Sequence, residues 1–179
     1  MKRRAATGRG DGGVVEYPKA MDIALNLLGF RSRTERELGK RLKEKGVDEE
    51  VAARVCARLK EIGYLDDRKF ALEWIKARSG AKCRSAWVLK RELREKGIDA
   101  GLSDETVAEC LDGKDVFEEA CALARQRVSR AGGGDPEKLR AKLQSLLLRR
   151  GFDYDFIRRV IADTVPASGG EDDTPLEPE

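Results

Sequence analysis

Histidine is absent from all 179 residues, and aromatic side chains make up only 6% of them. The commonest general base and the commonest neutral metal ligand are therefore both missing. No stretch reaches the ~18 consecutive apolar residues that a membrane helix requires. The amino terminus is basic but lacks the apolar core of a secretion signal, so a cytoplasmic location is expected. The four cysteines, Cys56, Cys83, Cys110 and Cys121, contain no Cys-x-x-Cys pair. A zinc site would have to gather four distant thiols. Cys56, Cys110 and Cys121 sit among apolar positions of helical spacing and read as small buried hydrophobes in a reducing compartment. No Walker loop and no Gly-x-Ser-x-Gly elbow is present. Gly8, Gly10 and Gly13 have the spacing of a dinucleotide fingerprint, but no strand pattern precedes them, so the match is compositional. Asp66-Asp67 is the one conspicuous carboxylate pair. Adjacent helical residues face different ways, and the pair reads as a helix start. Neither catalysis nor a metal or cofactor is expected.

What is present is a phrase stated three times. Leu38-x3-Leu42-x3-Gly46-Val47-Asp48 returns as Leu89-x3-Leu93-x3-Gly97-Ile98-Asp99 and again as Leu143-x3-Leu147-x3-Gly151-Phe152-Asp153. Leucines four apart share a helix face. The glycine can adopt the left-handed conformation that ends a helix, the next apolar residue packs back, and the aspartate can cap the following helix. A period of roughly 50 residues suggests stacked supersecondary units.

The rest of the chain predicts an all-α, elongated array of three three-helix repeats, each mainly contacting its neighbour. Residues 1–15 read as a basic, glycine-rich disordered tail. The first repeat spans 16–63, with helices over about 19–28, 33–45 and 49–62 and a capping box at Ser32-x-x-Glu35. The second spans 64–113, opening at Asp66-Asp67, continuing over about 84–96, and ending with a helix over about 103–111 capped by Ser103. The third spans 114–165. It starts at Lys114 or Asp115, breaks at Gly132-Gly133-Gly134, restarts at Asp135-Pro136 in the favoured cap-then-proline order, and closes with a helix over about 154–164. Residues 166–179 read as a disordered acidic tail. Trp74, one turn after Phe70, is expected in the core of the second repeat. Trp87 lies near the start of a basic helix, where it could pack between repeats or stack on a base. Leu146-Leu147-Leu148 replaces charged positions of the other repeats; deeper packing is the expected reason, an apolar contact the other.

Charged residues are 39% of the chain and the net charge is only +3, yet the signs are segregated. From Pro166 onward there are five acids and no base, so the remainder carries +8. A basic body points to an anionic partner. The cations concentrate in two segments. Arg31, Arg33, Arg36, Lys40, Arg41, Lys43 and Lys45 occupy the first repeat; Lys76, Arg78, Lys82, Arg84, Lys90, Arg91, Arg94 and Lys96 occupy the second. Lys40, Lys43 and Lys45 align with Arg91, Arg94 and Lys96. Such a series could follow a phosphate backbone or an acidic groove. A solvated face is the competing reading: Lys45, Lys96 and Arg150 fall in last turns, where cations suit the helix dipole.

The segment Gly63-Tyr64-Leu65-Asp66-Asp67-x-x-Phe70-Ala71-x-x-Trp74 resembles the signature of the bacterial RecX family. Arg31-Ser32-x-x-Glu35 and Lys45-Gly46-Val47 before it, Glu92-Leu93-x-x-Lys96-Gly97-Ile98 after it, and the closing Arg150-Gly151-Phe152 extend the similarity over about residues 20–163. The resemblance implies a regulator of the RecA recombinase: an all-helical, non-enzymatic, cofactor-free protein that binds RecA–DNA filaments and mainly inhibits strand exchange, ATP hydrolysis and co-protease activity. It also implies direct DNA binding in some members, and an alternative function as a DNA-binding module that competes with RecA. A monomer without membrane contact is expected. The signature from Gly63 to Trp74 reads as packing between repeats rather than as the contact site.

Overall fold

The structure, a computed structural model, describes residues 15–79, 83–132 and 135–165. Among them are nine α-helices and no strand: α1 (Tyr17–Phe30), α2 (Glu35–Glu44), α3 (Glu49–Glu61), α4 (Asp67–Lys76), α5 (Ala86–Glu95), α6 (Ala100–Leu111), α7 (Val116–Ala131), α8 (Pro136–Arg149) and α9 (Tyr154–Thr164). Residues 1–14 and 166–179 of the expected tails, Gly133-Gly134 and Lys82 lie outside the described residues, whereas Val15, expected in the amino-terminal tail, is half-buried against the first core.

The repeated phrase does the same physical work each time. Its six leucines are at most 2% exposed, on α2, α5 and α8, and each such burial contributes about 1.5–3 kcal/mol. Gly46, Gly97 and Gly151 take φ of +82°, +90° and +83°. That conformation lets the next amide reach back to the second leucine's carbonyl: Val47 N–H to Leu42 O (3.1 Å), Ile98 N–H to Leu93 O (3.0 Å) and Phe152 N–H to Leu147 O (3.2 Å). These are Schellman closures, in which an apolar residue past the glycine folds onto the helix it ends. Asp48, Asp99 and Asp153 then cap α3, α6 and α9 through their carboxylates.

Two expected caps are displaced. Ser32 does not open α2; Thr34 does, its hydroxyl accepting from Glu37 N–H at 3.1 Å. A tertiary partner fixes this start, because Asp67 Oδ1 accepts from Glu35 N–H at 2.8 Å. Ser103 does not open α6. Asp99 comes directly after the Schellman closure and accepts from Gly101 and Leu102 N–H, so the helix begins earlier and Ser103 is fully buried within it. The Asp66-Asp67 pair divides its labour: Asp66 Oδ1 accepts from Lys69 N–H at 2.9 Å to cap α4, while Asp67 reaches across to α2. Burial and the neighbouring Glu35 charge raise the Asp67 pKa, against the lowering effect of that backbone bond and of Lys60.

The chain divides into two compact units, residues 1–70 and 71–179, with the boundary inside α4. In the first, α1, α2 and α3 pack mutually around Ala20, Ala24, Leu38, Leu42, Val55 and Leu59. In the second, α5 packs on α6, and α9 packs on both α7 and α8. Cys121, Leu143, Leu147, Phe152, Ile157 and Val160 form a core there. Ser85 N–H donates to Arg150 O at 3.0 Å, which ties the start of α5 to the turn after α8. Cys56, Cys83 and Cys121 are buried and Cys110 is half-buried. Burial pushes the thiols of Cys56, Cys83 and Cys121 up to about 11. No described helix is long and apolar enough to cross a membrane.

Candidate functional site

The sequence-predicted cations that are described lie on two helices and their flanks. On α2 the inward leucines Leu38 and Leu42 turn Arg36, Lys40 and Lys43 outward. Their spacing of four and then three residues sets them in one stripe, and all three are exposed. Gly39 and Glu44 complete a shallow depression of about 500 Å³ around them. Lys43 pairs with Glu49, Arg41 with Glu44 at 2.8 Å, and Arg31 with Glu37 at 2.9 Å. Arg33 is turned inward, its Nε donating to Leu27 O at 3.1 Å, and burial lowers its pKa. Lys45 is the C-cap residue of α2, where a cation favours the helix dipole. Among the described residues Arg36, Lys40 and Lys45 have no ion-pair partner. Arg36, one turn before Lys40, belongs to the same stripe.

The same stripe on α5 is built differently. Trp87, Lys90, Arg91 and Arg94 line a depression of about 510 Å³ together with Glu95 and Asp104. Asp104 on α6 holds Lys90 at 3.2 Å and Arg94 at 3.0 Å, and these cations depress its pKa. Arg91 pairs with Glu95 at 3.5 Å and stacks over the Trp87 ring at 4.7 Å. Trp87 itself is 61% exposed. It therefore presents an open aromatic face flanked by guanidinium groups, and it is not packed between repeats.

Arg84 is drawn away from this surface. With Arg78 it converges on Glu92, whose side chain is only 14% exposed; the Arg78 Nε–Glu92 Oε2 distance is 2.9 Å. Burial lowers the pKa of both arginines. Trp74, expected in an apolar core, belongs to this cluster instead. Its Nε1 donates to Glu92 Oε2 at 3.1 Å, Arg78 covers its ring at 3.2 Å, and Lys96 lies 4.9 Å from the ring centre. A tryptophan whose N–H faces a half-buried carboxylate is held by that bond at the core's edge. In the remainder of the signature, Leu65, Phe70 and Ala71 are buried, Gly63 has φ of +74°, and Tyr64 is 64% exposed.

Counted from the repeated phrase, Arg36, Lys40 and Lys43 correspond to Trp87, Arg91 and Arg94, and in α8 to Ala141, Ser145 and Leu148. The third stripe thus bears no charge. Leu147 is fully buried there, but Leu146 is half-buried and Leu148 is 36% exposed. Deeper packing of this helix is not what the leucines provide. No group of three or more Cys, Asp or Glu side chains among the described residues could hold a metal.

Comparison with known proteins gives one consistent result. Three protein-family models match in order: "RecX, first three-helix domain" at residues 20–59, "RecX, second three-helix domain" at 66–110, and "RecX, third three-helix domain" at 114–161. The chain is 34% identical over 185 residues to the regulatory protein RecX of Thermobifida fusca, covering 98% of this chain and 97% of that one. It is 32% identical over 155 residues to the regulatory protein RecX of Amycolatopsis mediterranei, covering 87% and 88%. The fold is similar to the crystal structure of RecX from Lactobacillus salivarius, with a TM-score of 0.67, 24% identity, and coverage of 81% and 94%.

Proposed function

This chain belongs to the RecX family, and from that premise we propose that it is a non-enzymatic, cytoplasmic regulator that docks on RecA filaments assembled on single-stranded DNA and restrains recombinase, ATPase and co-protease activity. The units that act are the three repeats, 16–63, 64–113 and 114–165. The observation that carries the reading is the repeated stripe. Two helices in equivalent family domains present cations at the same helical positions, and α2 leaves Arg36 and Lys40 without an ion-pair partner among the described residues. An exposed cation without a partner gains most when an anionic surface arrives, because no internal pair must be broken first.

The α5 surface supports the second reading, direct binding to single-stranded DNA. An exposed Trp87 beside Arg91 and Arg94 has the elements of a base-stacking platform with phosphate-neutralising neighbours. The two readings separate in one experiment. The single-strand-dependent ATPase of RecA is titrated with the chain, and binding to bare DNA is measured in the same buffer. Inhibition well below the RecA concentration, at salt where bare-DNA binding has vanished, is the expected outcome. Inhibition only at levels that coat the DNA would replace filament docking with competition for DNA. No inhibition at any level would overturn both.

A further inference from the structure

A third surface lies on α7 and α8. α7 and α8 each pack on α9 more extensively than on each other, and a groove of about 630 Å³ opens between them. Arg127 and Arg130 rise on the α7 side, and Lys142 and Arg149 on the α8 side. All four are exposed, and among the described residues none has an ion-pair partner and no acidic side chain lines the groove. Its floor carries Leu139, Leu143 and Leu146. Ala141 and Ser145, which replace the cations of the other repeats, leave the α8 wall low.

Four unpaired cations over a leucine floor fit an acidic segment with an apolar side chain between its charges. The chain contains such a segment: Glu171-Asp172-Asp173-Thr174-Pro175-Leu176-Glu177. Connection favours it. α9 packs on both helices that form the groove and ends at Thr164. Extended chain spans at most ~3.3–3.6 Å per residue, so Glu171 reaches about 20 Å beyond Val165 and Glu177 about 40 Å. A 14-residue helix such as α8 is only ~21 Å long. We infer that residues 171–177 dock in the α7–α8 groove as an intramolecular acidic plug. Its carboxylates face Arg127, Arg130, Lys142 and Arg149, and Leu176 lies on the leucine floor. A short tether holds the effective concentration near the millimolar range. The plug therefore yields only to a polyanion that binds strongly or arrives at high local density. This inference stands on the groove and the tail, and does not depend on RecA being the partner.

The test uses the full chain labelled with nitrogen-15. In the parent, amide shifts of 171–177 should differ from those of a free peptide of the same sequence. In Arg127→Glu/Arg130→Glu they should move to the free-peptide positions. The reciprocal variant, Glu171→Gln/Asp172→Asn/Asp173→Asn, leaves every described helix untouched in sequence, and should shift the amides of Ala141, Ser145 and Arg149. A short oligo-deoxythymidylate should then bind that variant's groove roughly tenfold more tightly than the parent's. Tail amides that match the free peptide in the parent at low salt would overturn the inference. So would an equal response to Lys40→Glu/Lys43→Glu, which would mark a diffuse field. If the oligonucleotide perturbs Ala141 and Ser145 equally in both chains, the groove belongs to nucleic acid and the plug is refuted.

Discussion

Gly46 and Gly151 occupy the same place in the repeated phrase, with nearly the same φ, yet replacing them with alanine should cost different amounts. At Gly46, with φ of +82°, an added Cβ meets nothing within 4 Å. The loss there is the left-handed strain alone, about 1–2 kcal/mol. At Gly151, with φ of +83°, the added Cβ would lie 2.2 Å from Val88 Cγ2 and 2.6 Å from Ser85 Oγ. Ordinary contact begins at 3.4 Å, so the start of α5 must move by roughly 1 Å, and overpacking of this kind adds about 1–3 kcal/mol. Ser85 cannot yield freely: its Oγ caps α5 through Val88 N–H, and its own N–H is held by Arg150 O. Gly151→Ala should therefore lose about 2–5 kcal/mol. Urea unfolding measures it. Trp74 and Trp87 both belong to the 71–179 unit, so fluorescence follows the unit that contains Gly151, and circular dichroism follows Gly46→Ala. A cycle with Val88→Ala isolates the clash, because removing the two methyls should make the double variant cost about 1 kcal/mol or more less than the sum. Equal losses for Gly46→Ala and Gly151→Ala, or an additive cycle, would show that the turn after α8 does not abut α5 as described.

Glu92→Gln should destabilise the 71–179 unit by about 2 kcal/mol and alter Trp74 emission, because Arg78 and Arg84 lose their shared carboxylate while remaining largely covered; unchanged unfolding would show that the cluster is incidental. Asp67→Asn keeps an acceptor for Glu35 N–H and removes a charge that burial disfavours. Because the folded pKa is raised above the ordinary 3.8, this carboxyl's contribution is fully present below that value and is lost as pH rises through its folded pKa. The variant should therefore gain stability relative to the parent between acid and neutral pH, a trend that denaturation at both pH values checks. Arg36→Glu/Lys40→Glu should weaken filament docking more than Arg91→Glu/Arg94→Glu does, because Asp104 and Glu95 already occupy the α5 cations while Arg36 and Lys40 have no ion-pair partner among the described residues; the reverse order in a RecA ATPase titration would sink the α2 assignment. Trp87→Ala should leave stability unchanged within about 0.5 kcal/mol while reducing single-stranded DNA affinity by about 1–3 kcal/mol if a base stacks there; fluorescence anisotropy decides.

The helix stops were legible because they are local. Leu42, Gly46, Val47 and Asp48 complete their hydrogen bonds within one turn of each other, so spacing alone reveals them. Ser32 and Ser103 misled because a cap is chosen by competition. Thr34 wins with help from Asp67, 33 residues away in sequence, and Asp99 wins because the previous helix has just closed. The cationic stripes could be read from helical periodicity, but their occupancy could not. Whether Lys90 and Arg94 are free depends on Asp104 arriving from α6, and whether Arg84 reaches the surface depends on Glu92. Trp74 was misread for the same reason: hydropathy places it inward, and the Glu92 carboxylate holds it at a polar edge. The α7–α8 groove left a trace in Arg127-x-x-Arg130 and in the uncharged Ala141 and Ser145, which only the registered repeats make visible.

The buried thiols have a consequence for how this chain meets oxidants. Peroxides and alkylating agents react with the thiolate, and a thiol held at about 11 supplies only about one thiolate in ten thousand at pH 7. Cys56, Cys83 and Cys121 are thus withheld from sulfenic acid chemistry by protonation as well as by cover. Cys110 is left as the half-exposed thiol of α6. While the helices hold, a quantitative thiol assay at neutral pH should register one fast-reacting sulfur, and the other three only on unfolding. Thiol oxidation in this protein would then begin at a single position, outside both of its described cores.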